Sequence, residues 1–274
     1  MKGFIILGLS VSSVLSAQTD STQIKEIQEV SFTRRLPVSK EIINVQKDLG
    51  SKNLGQDLPI LLKNQMSVVA TSDAGNGVGY TGFRIRGSAG TSINVMLNGV
   101  PYNDSESQGT FFVNIPDMAS SASQIVIQRG VGTSSNGTAS FGASVNILTK
   151  NPDEKPYVLG QFSAGSFNTM KTSFEAGSGK FLNNLLSVSA RYSTINSDGY
   201  IDRAFSKLNS YSINALFEKG NTKIRFLTFG GKEKTYQAWN GIDRQTWETN
   251  PRLNYSGQYT DLFTGEEKFY DNET

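Results

Sequence analysis

Phe83-Arg84-Ile85-Arg86-Gly87 opens the stretch that decides the fold, and three further segments follow it in close order. They are Ile93-Asn94-Val95-Met96-Leu97-Asn98-Gly99-Val100-Pro101, then Gln124-Ile125-Val126-Ile127-Gln128-Arg129-Gly130, then Phe141-Gly142-Ala143-Ser144-Val145-Asn146-Ile147-Leu148-Thr149. Each is a short β run ended by a glycine or a turn. Asn98-Gly99 can take positive φ at both positions, which favours a type I′ hairpin joining Ile93–Leu97 to Val100–Tyr102. Ile125 and Ile127, then Val145 and Ile147, supply apolar alternation for two more strands. These pieces together make a small mixed sheet with glycine-rich connections.

Upstream of it, Leu54, Leu58, Leu61 and Leu62 are spaced for one face of a short helix within Asn53–Lys63. Pro59 restricts that helix: either Asp57 caps a helix that starts there, or the helix kinks. Met66–Ala70 reads as a strand, and Ser72–Gly82 as a glycine-rich loop. The Gly75-x-Gly77-x-Gly79 spacing lacks the strand-then-helix setting and the lysine of a nucleotide fingerprint, so a flexible loop is the reading.

The pattern changes after Lys150-Asn151-Pro152. Met170, Phe174 and Ala176 stand opposite Lys171, Ser173 and Glu175; Leu186, Val188, Ala190 and Tyr192 alternate with Ser187, Ser189, Arg191 and Ser193; and Tyr211–Phe217 and Ile224–Thr228 continue the habit. Such strands suit a transmembrane barrel with a wet lumen. A soluble antiparallel sandwich alternates in the same way. Turn lengths favour the barrel: Lys219-Gly220-Asn221 is tight, whereas Thr194–Asn209 and Gly231–Thr274 read as long loops.

At the other end, Met1-Lys2 and the apolar run Phe4–Leu15, followed by Ser16-Ala17, have the form of a signal peptide cut near Ala17-Gln18. No later apolar run is long enough for a spanning helix, which leaves a β-barrel as the membrane architecture. With 26 basic against 24 acidic residues, the chain lacks the concentrated basic face that nucleic acid would want. It has no histidine and no cysteine, which excludes Ser-His-Asp and Cys-His nucleophilic sites and imidazole or thiolate metal sites within it. No enzyme activity, cofactor or metal is expected.

The four segments resemble the plug domain of TonB-dependent outer-membrane receptors, especially the Bacteroidetes type, in which an F-R-I-R-G strand, a v-L-N-G-v-P hairpin, an I-x-I-Q-R-G strand and a G-x-x-S-f-G-a-x-x-N-I-x-T-K segment occur in this order. Phe83–Gly87, Leu97–Pro101, Ile125–Gly130 and Gly137–Lys150 match them; Val131 and Ala143-Ser144 are mild departures. The resemblance implies an α+β plug domain with a small mixed sheet over residues 37–150. An incomplete antiparallel transmembrane β-barrel would follow over 151–274, preceded by a signal peptide (1–17) and a periplasmic lead (18–36). About five barrel strands can be counted where a plugged transporter needs roughly 22, so the chain reads as the N-terminal part of a longer receptor.

The family's known sites are carried over as expectations. Glu26, Ile27, Gln28, Glu29, Val30, Ser31, Phe32 and Thr33 occupy the place of the TonB box, which pairs with a TonB-like periplasmic energy transducer; a plain linker is the alternative. Arg86 and Arg129 stand where plug arginines pair with barrel glutamates. Asn76 and Tyr80 in one loop, and Tyr102, Asp104, Glu106 and Gln108 in the other, are the substrate-facing candidates. The function implied is uptake of a scarce small molecule or oligosaccharide across the outer membrane, among its lipids. An iron chelate, a vitamin and an oligosaccharide all fit. A non-transporting surface adhesin, or a glycan-binding outer-membrane β protein, is the competing class.

Overall fold

The computed structural model describes residues 40–131 and 140–270. The chain divides into two units, Met1–Leu36 and Pro37–Thr274, and every described residue lies in the second. The signal-peptide and TonB-box expectations therefore fall outside the described residues, as do the first residues of the plug domain expected over 37–150 and the start of the Gly137–Lys150 segment.

The first sheet has the order β1-β6-β7-β4-β5. Its strands are β1 (Lys40–Asn44), β4 (Ile93–Leu97), β5 (Val100–Pro101), β6 (Ala122–Arg129) and β7 (Ala143–Thr149). β4 and β7 run parallel and the other neighbours antiparallel, so the sheet is mixed as expected. Asn98 and Gly99 have φ of 52° and 84°, the positive pair a type I′ turn requires. Ile125, Ile127, Val145, Ile147, Ile93 and Val95 are buried together with Phe83 and Ile85 of β3 (Thr81–Ile85) and with Leu58 and Leu61 of α1 (Leu58–Leu61). Each large aliphatic side chain removed from water contributes about 1.5–3 kcal/mol, so this core anchors the domain.

The helix is a single turn, shorter than Asn53–Lys63. Asp57 sits at its N-cap with extended backbone, Pro59 occupies the first turn, and Gly55 at φ +116° lies against Lys171. The alternative in which a helix starts beside Asp57 is the one realised, although the carboxylate turns to Thr81 instead of capping. The next strand, β2 (Val68–Ser72), begins two residues later than expected because Ser67 takes φ +59°.

The second sheet has the order β12-β11-β10-β9-β8, antiparallel throughout, with β8 (Pro156–Ala164), β9 (Met170–Phe181), β10 (Leu186–Ser197), β11 (Ser206–Lys219) and β12 (Thr222–Thr235). Its burial runs opposite to that of a soluble sandwich. Val158 is 84% exposed and Phe174 60%, whereas Lys171 is 2% and Ser193 1% exposed. The polar face lies against the first domain and the apolar face points away from it. Water would reverse that arrangement; lipid on the outside and a polar lumen require it. The tract Thr194–Asn209 is a loop only over 198–205, with Ser197 and Ser206 buried on the inward face of β10 and β11.

The outward face supplies a prediction. Ile213→Arg places a guanidinium on the exposed apolar face of β11 and is expected to cost about 2–4 kcal/mol if it lies near the bilayer midplane. Refolding of the whole protein into lipid vesicles measures this, and insertion as efficient as wild type would remove the lipid-facing assignment.

Candidate functional site

The two sheets meet along a polar seam, and its centre is a buried carboxylate. Asp117 precedes α2 (Met118–Ser121) with φ +54°, a left-handed conformation that aspartate tolerates better than most residues. Lys171 Nζ donates to its Oδ1 at 2.6 Å and Arg191 Nη1 to its Oδ2 at 2.8 Å. The three side chains are nearly inaccessible to water. Lys171 also donates to Ser120 Oγ at 2.8 Å, Arg191 Nε to Ser121 Oγ at 2.9 Å, and Ser121 and Ser212 share a hydrogen bond at 3.1 Å. Further along, Arg225 donates to Thr149 Oγ1 and Lys150 O, and Asn214 to Lys150 O. Buried cations of this kind stay charged only where such partners replace water.

At one end of the second sheet the strands turn tightly, over 182–185 and 220–221; at the other they connect through 165–169, 198–205 and the long segment 236–270. The loop 73–80 of the first domain reaches this second end. Ala74 O accepts from Tyr200 N at 2.8 Å and Ile201 N at 3.2 Å, the Asn76 amide donates to Ser197, and Tyr80 meets Trp239 edge-on at 5.4 Å. Its glycines are there for close approach: a Cβ on Gly75 would come within 3.1 Å of Tyr200, and one on Gly79 within 2.7 Å of Ser206 Oγ. Among the described residues the segment 236–270 folds over the same end, with Arg203 stacked 3.6 Å above Phe269 and Tyr236 donating to Ser256 O and Tyr270 O.

The comparisons with known proteins agree with an open strand wall whose polar face lies against a small mixed-sheet domain. The family described as TonB-dependent Receptor Plug Domain matches residues 33–144. Over those residues the chain is similar to a TonB-dependent receptor plug domain. Receptors of this family sit in the outer membrane. No curated protein matches the chain. Among solved structures, the ferric citrate transporter FecA in its unliganded form superposes with TM-score 0.63 at 15% identity, covering 79% of this chain and 34% of that one. The siderophore receptor PirA from Acinetobacter baumannii gives 0.55 at 16% identity, with 73% and 32% covered. The ferric yersiniabactin uptake receptor FyuA from Yersinia pestis gives 0.56 at 14%, with 70% and 31% covered. At such identities the likeness is one of fold, and the chain spans about a third of the length of these structures.

Of the residues singled out in the sequence, Asn76 and Tyr80 lie in the plug loop beside the long strand connections. Tyr102 packs 6.3 Å from Phe229 on the wall. Asp104, Glu106 and Gln108 are exposed in a loop that caps itself: Asp104 Oδ1 accepts from Ser107 N at 2.7 Å and Glu106 N at 3.1 Å, and the Ser107 backbone bond, ahead of its hydroxyl, holds the Asp104 carboxyl below its usual range.

Arg129 pairs within the plug, with Glu41 of β1, and its Nε donates to Met66 O at 2.9 Å. Arg86 is exposed, with its guanidinium beside Gly130. The pairing of either arginine with a barrel glutamate remains a proposal for the whole protein. Arg129→Ala is expected to cost about 1–3 kcal/mol through the unsatisfied partners it leaves, and to speed hydrogen exchange in β1. Arg86→Ala should do so only if the barrel supplies its partner. Unchanged β1 exchange in Arg129→Ala would show that the Glu41 pair holds nothing.

The seam residues Asp117, Lys171 and Arg191 were not marked by any motif. Their one visible signal is a lysine and an arginine at inward positions of strands whose inward face also carries several serines.

Proposed function

We propose that the chain is the N-terminal part of a Bacteroidetes-type TonB-dependent receptor that takes up a scarce substrate across the outer membrane. The observation that carries this reading is the plug domain held by a buried polar seam against strands whose outer face is apolar. Residues 1–17 would direct export, and Glu26–Thr33 in the lead would pair with the periplasmic transducer. Residues 37–150 would close the lumen, and the strands after 151 would begin the barrel. Substrate would meet Asn76 and Tyr80 where the plug loop joins the long connections, and Tyr102–Gln108 would line the neighbouring plug surface.

The three structural relatives are described as handling ferric citrate, siderophore and ferric yersiniabactin. Iron chelates are therefore the first class to try, ahead of vitamins and oligosaccharides. The test is accumulation of a panel of these compounds by cells expressing the whole protein, with and without the energy transducer. Accumulation that depends on the transducer, with surface binding retained in its absence, is expected. Binding without accumulation in either strain would favour the adhesin reading.

A further inference from the structure

Asp57 is a plug carboxylate that the seam does not use. It is 3% exposed, and its Oδ1 has no hydrogen-bond partner among the described residues. The other oxygen accepts from Thr81 Oγ1 at 2.9 Å, the Gly79 N–H also donates to the carboxylate, and the Asp57 N–H donates to Gly77 O at 2.9 Å. Asp57 thus ties α1 and β3 to the base of the loop 73–80. That loop has no slack. Gly77 lies against Ile60, and Gly79 against Ser206 and Thr235 of the wall.

The charged groups around Asp57 give it no counter-ion. Asp117, ahead of α2, and Glu233, on β12, both add repulsion, and Glu233 itself has one buried oxygen without a partner among the described residues. Lys171 and Arg191 are bonded to Asp117. The seated loop therefore has room for a neutral Asp57 and works against an ionised one.

We propose that Asp57 is a proton-operated latch: neutral, it lets the loop 73–80 sit against the strand wall; ionised, it releases the loop towards water. The receptor reading enters only in placing this loop at the outer face.

Burial, against the opposing bonds from Thr81 and Gly79, pushes the Asp57 carboxyl up to about 7 in the seated state. A released, hydrated carboxyl returns to about 3.9. The seated state therefore binds the proton more tightly. Its advantage is full in acid, falls about tenfold per pH unit from about 4 upward, and levels off above about 7. A substrate that engages Asn76 or Tyr80 on the seated loop would then bind more tightly as the surroundings acidify.

The test is hydrogen exchange of the whole protein in detergent micelles between pH 5 and 9, corrected for the intrinsic pH dependence, with peptides over 73–80 compared with peptides over β4. Wild-type protection of the loop should fall about fiftyfold from pH 5 to 7 while β4 stays constant. Asp57→Asn, a neutral isostere, should keep the loop protected at every pH. Thr81→Val removes a donor that favours the ionised form, so the midpoint should move to higher pH; a merely structural contact would lower protection without moving it. A flat wild-type profile, a titrating Asp57→Asn, or an unmoved midpoint in Thr81→Val would each overturn the latch. The measurement needs neither substrate nor transducer, so loss of the latch and loss of the transport reading are separate results.

Discussion

Replacing Asp117 with alanine is expected to destabilise the plug–wall seam by about 3–5 kcal/mol, because it strands two buried cations at once. Lys171 Nζ would keep Ser120 Oγ, and Arg191 would keep Ser121 Oγ, but neither would keep a negative partner. Alanine also occupies φ +54° less readily than aspartate, so a companion variant separates backbone from charge. Asp117→Asn suits the left-handed backbone and retains one carbonyl acceptor; its loss should be smaller, and what remains of it is electrostatic. Adding Lys171→Met to Asp117→Asn removes one orphaned cation and should recover part of the stability. Hydrogen exchange over 117–122 and denaturant unfolding of the whole protein measure these effects. Wild-type exchange in Asp117→Ala would mean that the Asp117 cluster is decoration, and that the other polar bonds, such as those to Lys150 O, and the apolar contacts hold the plug.

The parts of the fold that depend on neighbours in sequence were readable from it. Asn98-Gly99 dictates its own hairpin because the two backbone conformations it prefers are the two the turn needs. Ile125, Ile127, Val145 and Ile147 are buried as their alternation indicates. The helix around Leu58 was overestimated: Leu54 has helical spacing, yet Gly55 and Asp57 leave the helix to make contacts with Lys171 and Thr81, both distant in sequence. The second sheet shows a different limit. Alternation locates strands but does not say which face is buried, and here Tyr192 and Phe226 are exposed while Ser193 and Ser210 are buried. The same inversion hid the ends of β10 and β11, whose lumen-facing serines look like loop composition until the plug is placed against them.

The candidate site was legible in proportion to how local its chemistry is. The glycines of the loop 73–80 announced an unusual backbone, and the structure explains them by close approach to Ile60, Tyr200 and Ser206. Which of the two plug loops lies beside the long connections could not be read, because it depends on how the plug sits in the wall. The seam was invisible for the same reason: Asp117 meets Lys171 across 54 residues and Arg191 across 74. A lysine or arginine at an inward strand position says that a partner exists, but not where. Arg129 shows the complement. Its motif is recognisable, and the partner it finds among the described residues is Glu41, at the first strand of the same domain.

Val30→Pro is expected to abolish uptake while leaving substrate binding at the cell surface intact. The proposal behind it is that Glu26–Thr33 joins the periplasmic transducer by strand addition, with backbone N–H and C=O groups pairing to an exposed sheet edge. Proline removes one N–H and fixes φ, so it interrupts the ladder. Losing two or three ladder bonds at about 1 kcal/mol each weakens pairing on the order of a hundredfold. Val30→Ala leaves every backbone group in place and trims only a side chain, so its effect should be mild. Val30 precedes the unit that begins at Pro37, so neither substitution should alter folding or membrane insertion. The variants are compared for transducer-dependent accumulation and for surface binding in cells expressing the whole protein. Normal accumulation by Val30→Pro would move the pairing segment to Gln18–Gln23 or Arg34–Val45. Loss of surface binding together with uptake would instead make Glu26–Thr33 part of the folded domain.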